Sequence, residues 1–440
     1  MPPTRMLVGI DFSKNRADLA LLKNTGELLI RHCGFANNQA GYQQAKELIL
    51  KTLSECGLSG LDVAGEATSY YWLPLFVAME QDVDLVDYDL KLYLLNPKWV
   101  RWYKKSQPSN HKNDRIDPRY IGDYLRTHRP ATTWHYDERW MPVRIYTRLR
   151  FHLVKSLSRE KNLFNLFLFL AYTSYAQRKP FSKPLAMISQ ALLRDPALLD
   201  SFQDQDVEEL ADWLHEHSHH LLGDPAKCAQ RLRQVLSERY RLPEDLAASV
   251  QQGIEILLDT IQYLQGQVTQ VEGLIAELTQ TGHPEVAWLD SIPGIGPVFA
   301  SGIAAEIADL KRFSDVQIWD DRKQQMRPRR PQELSDAIGK YAGLWWPDNS
   351  SGNFQAEEKR LSREGNAYLR FYILEAADSL RQHLPDFTRY YQSKYDQAFH
   401  HKHKRALVLT GRKALDLIVA LLRHKEPYRA KEAAALSPTG

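Results

Sequence analysis

Four carboxylates stand out by type and spacing: Asp11 in "GIDFSK", Glu66 at the end of "LDVAGE", and Asp114 and Asp117 in "HKNDRIDPRYIGDYL". The last two are three residues apart at the start of a helical stretch, so they share one helix face. Asp11 lies in one short β-rich run and Glu66 ends another, and an alternating strand–helix order makes those strand ends neighbours. Clustered carboxylates repel one another unless a divalent cation sits between them. Hard oxygen donors with open positions suit Mg²⁺, and two such ions can flank a scissile phosphate. Singly, each acid is as well explained by a solvated surface or by the dipole of a helix N-terminus. The set is better explained by metal.

Around these acids lie Lys98, Arg101, Lys104, Lys105, Lys112, Arg115 and Arg119, interleaved with Trp99, Trp102 and Tyr103. Cations and flat rings beside an acidic centre suit a nucleic-acid backbone held over a metal site. Two more basic patches, "RKQQMRPRRP" (Arg327, Arg329, Arg330) and "HHKHKR" (Lys402, Lys404, Arg405), fit the same partner or an ordinary solvated face. In "LDSIPGIGPVFASGIAAEI" a Pro-Gly-Ile-Gly turn between helices resembles a helix-hairpin-helix. Gly294 and Gly296 let backbone approach a phosphate, and the next helix offers free N–H groups; a plain interhelical turn is the alternative. "HEHSHH" places His215 and His219 four apart, but no further ligand completes a site, and a solvated helix face is the better reading.

A second kind of chemistry rests on "WWPDNSSGNFQAEEKRLSREGNAYLR". A serine hydroxyl is a weak nucleophile until something activates it. Gly352 lets the chain bring a hydroxyl close to a partner, and Lys359, Arg360, Arg363 and Arg370 can hold phosphates. The residues alone do not choose between Ser350 and Ser351, and Ser-Gly in a loop is commonly just a turn.

Positioning these groups requires several domains, and 440 residues are enough for two or three. Residues 1–133 read as β-β-β-α-β-α-β-α, with "VDLVDY" as the fifth strand and helical stretches around Lys91–Lys105 and Ile116–Thr127; this order implies a mixed sheet with helices on its faces. Residues 134–282 read as helical. There Ile254, Leu257, Ile261, Leu264, Val268, Val271, Ile275 and Leu278 alternate spacings of three and four, the a/d seam of a coiled coil; with Gly266 and Gly273 inside it, a helix packed in its own domain is the alternative. Residues 283–440 form a third region, helical and basic.

The net charge of +3 is too small to mark a nucleic-acid binder, so that inference rests on the local clusters. Cys33, Cys56 and Cys228 are far apart and form no CxxC pair, which argues against a disulfide framework or a zinc ribbon and fits a reducing cytoplasm. The N-terminus lacks the apolar core of a signal peptide. "LFNLFLFLAY" is too short to span a membrane and reads as a buried helix.

Taken in order, "GIDFSK", "GEATSYYW", "KNDRIDPRYI", "IPGIG", "AGL", "SG" and "SREGNAYLR" resemble the DEDD transposases of insertion sequences: the IS-one-ten family, with its Piv-type invertases and bridge-RNA-guided recombinases. The resemblance implies an α/β plus α fold: an N-terminal RuvC-like, RNase H-type domain, a central coiled coil for dimerisation, and a C-terminal mostly helical transposase domain with the helix-hairpin-helix. It implies that Asp11, Glu66, Asp114 and Asp117 form the Mg²⁺-binding tetrad. The family's nucleophilic serine begins a Ser-Gly pair after "AGL", which selects Ser351. Expected partners are donor and target double-stranded DNA, an element-encoded guide (bridge) RNA and further copies of the chain, as dimer or tetramer, in a bacterial cytoplasm at the nucleoid, with no membrane. The stretch from Tyr172 to Pro243 is longer than the family pattern needs. Two other readings stay open: a RuvC-like junction resolvase or nuclease using metal-activated water, and a non-catalytic nucleic-acid scaffold.

Overall fold

The computed structural model describes residues 4–107, 117–130, 132–320, 322–347, 350–351, 354–355, 361–362 and 364–430. The chain divides into two compact units, Met1–Met141 with Lys311–Arg330, and Pro142–Leu310 with Pro331–Gly440.

The first unit runs β1 (Arg5–Phe12), β2 (Arg16–Lys23), β3 (Leu28–Ala36), α1 (Gln39–Glu55), β4 (Gly60–Glu66), α2 (Leu73–Glu80), α3 (Val83–Val86), β5 (Lys91–Leu95), α4 (Pro97–Ser106) and α5 (Asp117–His128). The sheet is mixed, in the order β3-β2-β1-β4-β5. β1 is antiparallel to β2 and parallel to β4. Side chains alternate across a strand. Met6, Val8 and Ile10 accordingly enter one core with Ile49 and Leu53 of α1 and Phe76 of α2. Leu7 faces the other way, into a second core with Ala64 of β4 and Ile121 and Leu125 of α5. Gly9 shares this second face. A Cβ there would stand 2.0 Å from the Pro118 carbonyl oxygen and 2.4 Å from the Gly122 nitrogen, so only glycine lets the first turns of α5 rest on β1.

The fifth strand differs from the expectation. "VDLVDY" is not a strand: Asp82 accepts a hydrogen bond from the Asp84 N–H and starts the short turn α3. The strand is Lys91–Leu95, pairing parallel with β4, where helix was expected. Its end is fixed by Asn96, whose side chain caps α4 through the Lys98 N–H, with Pro97 at the first helical position.

The second unit takes most of α6 (Trp140–Ala171), then α7 (Tyr175–Arg178), α8 (Met187–Arg194), α9 (Pro196–Ser201), α10 (Val207–His217), α11 (Pro225–Glu238), α12 (Glu244–Thr279), α13 (Pro284–Asp290) and α14 (Pro297–Ile307). The chain next gives the first unit α15 (Lys311–Ser314) and the hairpin β6 (Gln317–Asp320)–β7 (Gln325–Pro328). It then resumes with α16 (Pro331–Tyr341), β8 (Ser350–Ser351), β9 (Phe354–Gln355), α17 (Ala367–His383), α18 (Pro385–Asp396) and α19 (Lys402–His424).

The long stretch after Tyr172 has a core of its own. Leu192, Phe202, Leu210, Leu214, Leu232 and Leu236 pack with Phe164 and Leu168 of α6 and with Ile254, Leu257 and Ile261 of α12. The first part of the heptad seam is therefore filled by the chain's own helices. Gly253 belongs to this packing, since a Cβ there would stand 2.2 Å from the Phe167 ring. The "LFNLFLFLAY" helix is only half buried: Phe164 and Leu168 face inward, while Leu166 (53%) and Phe169 (52%) are exposed. Among the described residues no helix is long and apolar enough to cross a membrane.

Candidate active site

The ends of β1 and β4 set the site. Their parallel register runs to Ile10 beside Gly65, so one step further places Asp11 beside Glu66. Both lie on the face covered by α5, because Asp11 keeps step with Leu7 and Gly9, and Glu66 with Ala64. Asp117 is the first residue of α5, whose approach to β1 is set by Gly9 and Gly122.

Between the acids lies a lysine. Lys104 of α4 places its Nζ 3.1 Å from Glu66 Oε1 and 3.1 Å from Asp117 Oδ2. Burial pulls its pKa down, but the charges and hydrogen bonds of Glu66 and Asp117 outweigh this and hold it above the ordinary lysine value. Tyr103, one residue earlier, donates its hydroxyl to Asp123 and keeps α4 against α5. Spacing had placed Lys104 only among many bases; the fold makes it the bridge. Among the described residues no group of three or more His, Cys, Asp or Glu side chains stands ready to hold a metal ion. The donor chemistry nevertheless fits a hard cation, since two carboxylates already converge on a positive charge, the Lys104 ammonium. Asp114, Lys112 and Arg115 lie outside the described residues.

The outer side of α4 carries exposed Trp99 and Trp102, with the Lys98 ammonium 4.5 Å from the Trp102 ring centre and Lys105 exposed. Other candidate bases are tied down. Arg327 Nε donates to Asp320 at 2.8 Å, Arg330 stands 3.6 Å from the same carboxylate, and Arg329 donates to the Phe313 carbonyl. Lys402, Lys404 and Arg405 are exposed at the start of α19. His215 pairs with His220, Nε2 to Nδ1 at 2.8 Å.

In the second unit α13, the "IPGIG" turn and α14 form two helices joined by a tight turn. Gly294 has φ +96°, and Gly296 precedes Pro297 at the start of α14. Ser350 and Ser351 form β8, with Ser351 across from Phe354 of β9. Gly352, Lys359, Arg360 and Arg363 lie outside the described residues.

The loop carrying the serines is held at its neck. The Ser362 N–H donates to the Trp345 carbonyl at 3.0 Å, and the Asn366 N–H to the Tyr341 carbonyl at 2.6 Å. Arg370 also serves this frame, donating to the Ala342 carbonyl at 3.0 Å. Gly365 has φ +146°, and a Cβ there would stand 2.3 Å from the Tyr341 carbonyl oxygen. "AGL" and "SREGN" are thus two sides of one contact.

Beneath that contact lies a residue the motifs did not mark. Glu306 of α14 is fully buried and accepts from Arg148 Nε at 2.6 Å, Arg148 Nη2 at 2.9 Å and Asn366 Nδ2 at 2.6 Å. Asn366 in turn caps α17 through the Tyr368 and Leu369 N–H groups. The sequence did carry a sign: Glu306 is the one charged residue in the otherwise uncharged run from Ile292 to Ile307.

Comparison with known families covers both regions. A transposase family model, that of the IS110 DEDD transposases, matches residues 8–172, which hold Asp11, Glu66, Lys104, Asp114 and Asp117. The Transposase IS116/IS110/IS902 family matches residues 286–317 and 329–392, which hold the α13–α14 turn, the serine loop and Asn366. No curated protein matches the chain. The matches follow the same order as the two sites along the sequence, and the chain belongs to the IS110 family of transposases.

Proposed function

We propose that this transposase cuts and rejoins donor and target DNA through a covalent phosphoserine link formed by Ser351, with Mg²⁺ held by Asp11, Glu66, Asp114 and Asp117 on a RuvC-like, RNase H-type domain. The observation that carries the metal half is the convergence of Glu66 and Asp117 on one positive charge, with Asp11 a register step away. When bound, the ion supplies Lewis-acid stabilisation of the charge that builds on the phosphate.

The rest falls to the chain. Ser351, in the segment whose ends Trp345 and Ser362 are joined by a hydrogen bond, supplies the nucleophile. Its hydroxyl oxygen bonds to phosphorus as the P–O3′ bond breaks, and the proton lost by the serine is balanced by the one the 3′-oxygen takes up. Another strand's 3′-hydroxyl reverses the step and restores the serine. One phosphodiester is exchanged for another, so no nucleotide hydrolysis is needed. Trp99 and Trp102 with Lys98, Lys104 and Lys105, the Gly294–Gly296 turn, Lys402, Lys404 and Arg405 supply stacking and phosphate contacts. A guide RNA reads sequence by base pairing, as the family resemblance implies, and the free parts of α12 join copies into dimers and tetramers.

The test is a nicked donor DNA that traps the covalent step. Ser350→Ala yields a denaturation-resistant protein–DNA adduct, whereas Ser351→Ala and Glu66→Gln do not. Metal-dependent cleavage without any adduct supports the nuclease reading instead.

A further inference from the structure

We propose that Lys104 is a built-in counter-ion: its ammonium holds Glu66 and Asp117 together when no divalent cation is present, and it must withdraw for one to bind. This rests on the reading that these carboxylates take a divalent cation.

The geometry is specific to this lysine. Its Nζ stands 3.1 Å from an oxygen of each acid, and the three side chains are only 21%, 12% and 25% exposed for Lys104, Glu66 and Asp117. Two shielded carboxylates at this separation repel without a cation between them. The ammonium therefore keeps the site assembled, but it also fills it, because an ammonium and a divalent ion cannot share the same pair of oxygens. Its neighbours on α4 are placed otherwise: Lys98 lies over the Trp102 ring and Lys105 is exposed. Lysine suits the exchange because its charge sits at the end of a flexible four-carbon stem. Once displaced, the ammonium can move toward the exposed Trp99–Trp102 side of α4 and meet a phosphate oxygen of the DNA. Filling the metal site thereby releases a cation to the substrate.

The test uses the full chain, with Mn²⁺ titrated by calorimetry and thermal melting followed in chelator. Lys104→Gln binds Mn²⁺ roughly tenfold tighter than the unmodified protein and melts lower in chelator. Lys104→Arg, whose guanidinium clamps both carboxylates, melts like the unmodified protein and binds Mn²⁺ more weakly. Equal or weaker Mn²⁺ binding by Lys104→Gln overturns the inference, as does stronger binding by Lys104→Arg. Glu66→Gln separates the two ideas. If Mn²⁺ binding depends on Glu66 but ignores Lys104, only the counter-ion fails. If neither the unmodified protein nor Lys104→Gln binds Mn²⁺, the metal reading fails with it.

Discussion

Gly9 of β1 and Gly122 of α5 meet backbone to backbone: a Cβ at Gly9 would stand 2.4 Å from the Gly122 nitrogen and 2.0 Å from the Pro118 carbonyl oxygen. Neither obstacle is a side chain that can turn away. Gly9→Ala therefore pushes α5 off the sheet, at a cost of about 1–3 kcal/mol, and carries Asp117 away from Lys104. Urea unfolding and divalent-cation titration measure the two effects. An unchanged unfolding midpoint removes the idea that this contact sets the site.

Glu306 makes the second unit sensitive to acid. Burial works to raise its pKa, but the Arg148 hydrogen bonds and charge, then Arg144 and Asn366, outweigh it and hold it below the ordinary glutamate value. A carboxyl with a depressed folded pKa contributes stability above its unfolded pKa and loses it as pH falls through the folded one. Stability should thus decline from about pH 4.3 downward. Glu306→Gln flattens that limb and costs about 3–5 kcal/mol at neutral pH, because Arg148 is left without its buried partner. Melting temperature against pH checks this, and parallel curves for the two proteins would contradict it.

At Gly365 both conformation and space forbid a side chain. Gly365→Ala should open the neck between Trp345 and Ser362, costing about 1–3 kcal/mol. The expected pattern is faster proteolysis of that loop and loss of the DNA adduct, with Mn²⁺ binding retained. Intact adduct formation would show that the frame does not serve the serine.

Gly266 and Gly273 lie inside α12 with nothing within 4 Å of the positions a Cβ would take. Alanine at each should stabilise the helix by about 1 kcal/mol, read as a higher melting temperature. A lower one, together with weaker self-association, would instead mark these glycines as points of close approach between copies.

Much of the first unit was legible because strand parity and helix starts are local properties. Asp11, Glu66 and Asp117 could be assigned to strand ends and a helix start from short windows of sequence. "VDLVDY" misled because its apolar pattern suits a strand, while Asp82, the residue that caps a turn there, carries little weight in a periodicity argument. The Asn96-Pro97 pair, a helix-start signature, was present and marks where β5 must end. Lys104, Glu306 and the pairing of "AGL" with "SREGN" were not legible. Each draws its meaning from partners brought in from distant positions, and spacing along the chain does not encode that.

The hydrogen bond from Ser362 to Trp345 has a consequence for how this protein can change. That bond joins two backbone groups at the ends of the segment and does not depend on the side chains between them, so the segment's length can vary around Ser351 while the helices beneath stay as they are. Lengthened versions that keep Ser351-Gly352 should graft between Trp345 and Ser362, leaving Tyr341, Gly365 and Asn366 as the socket.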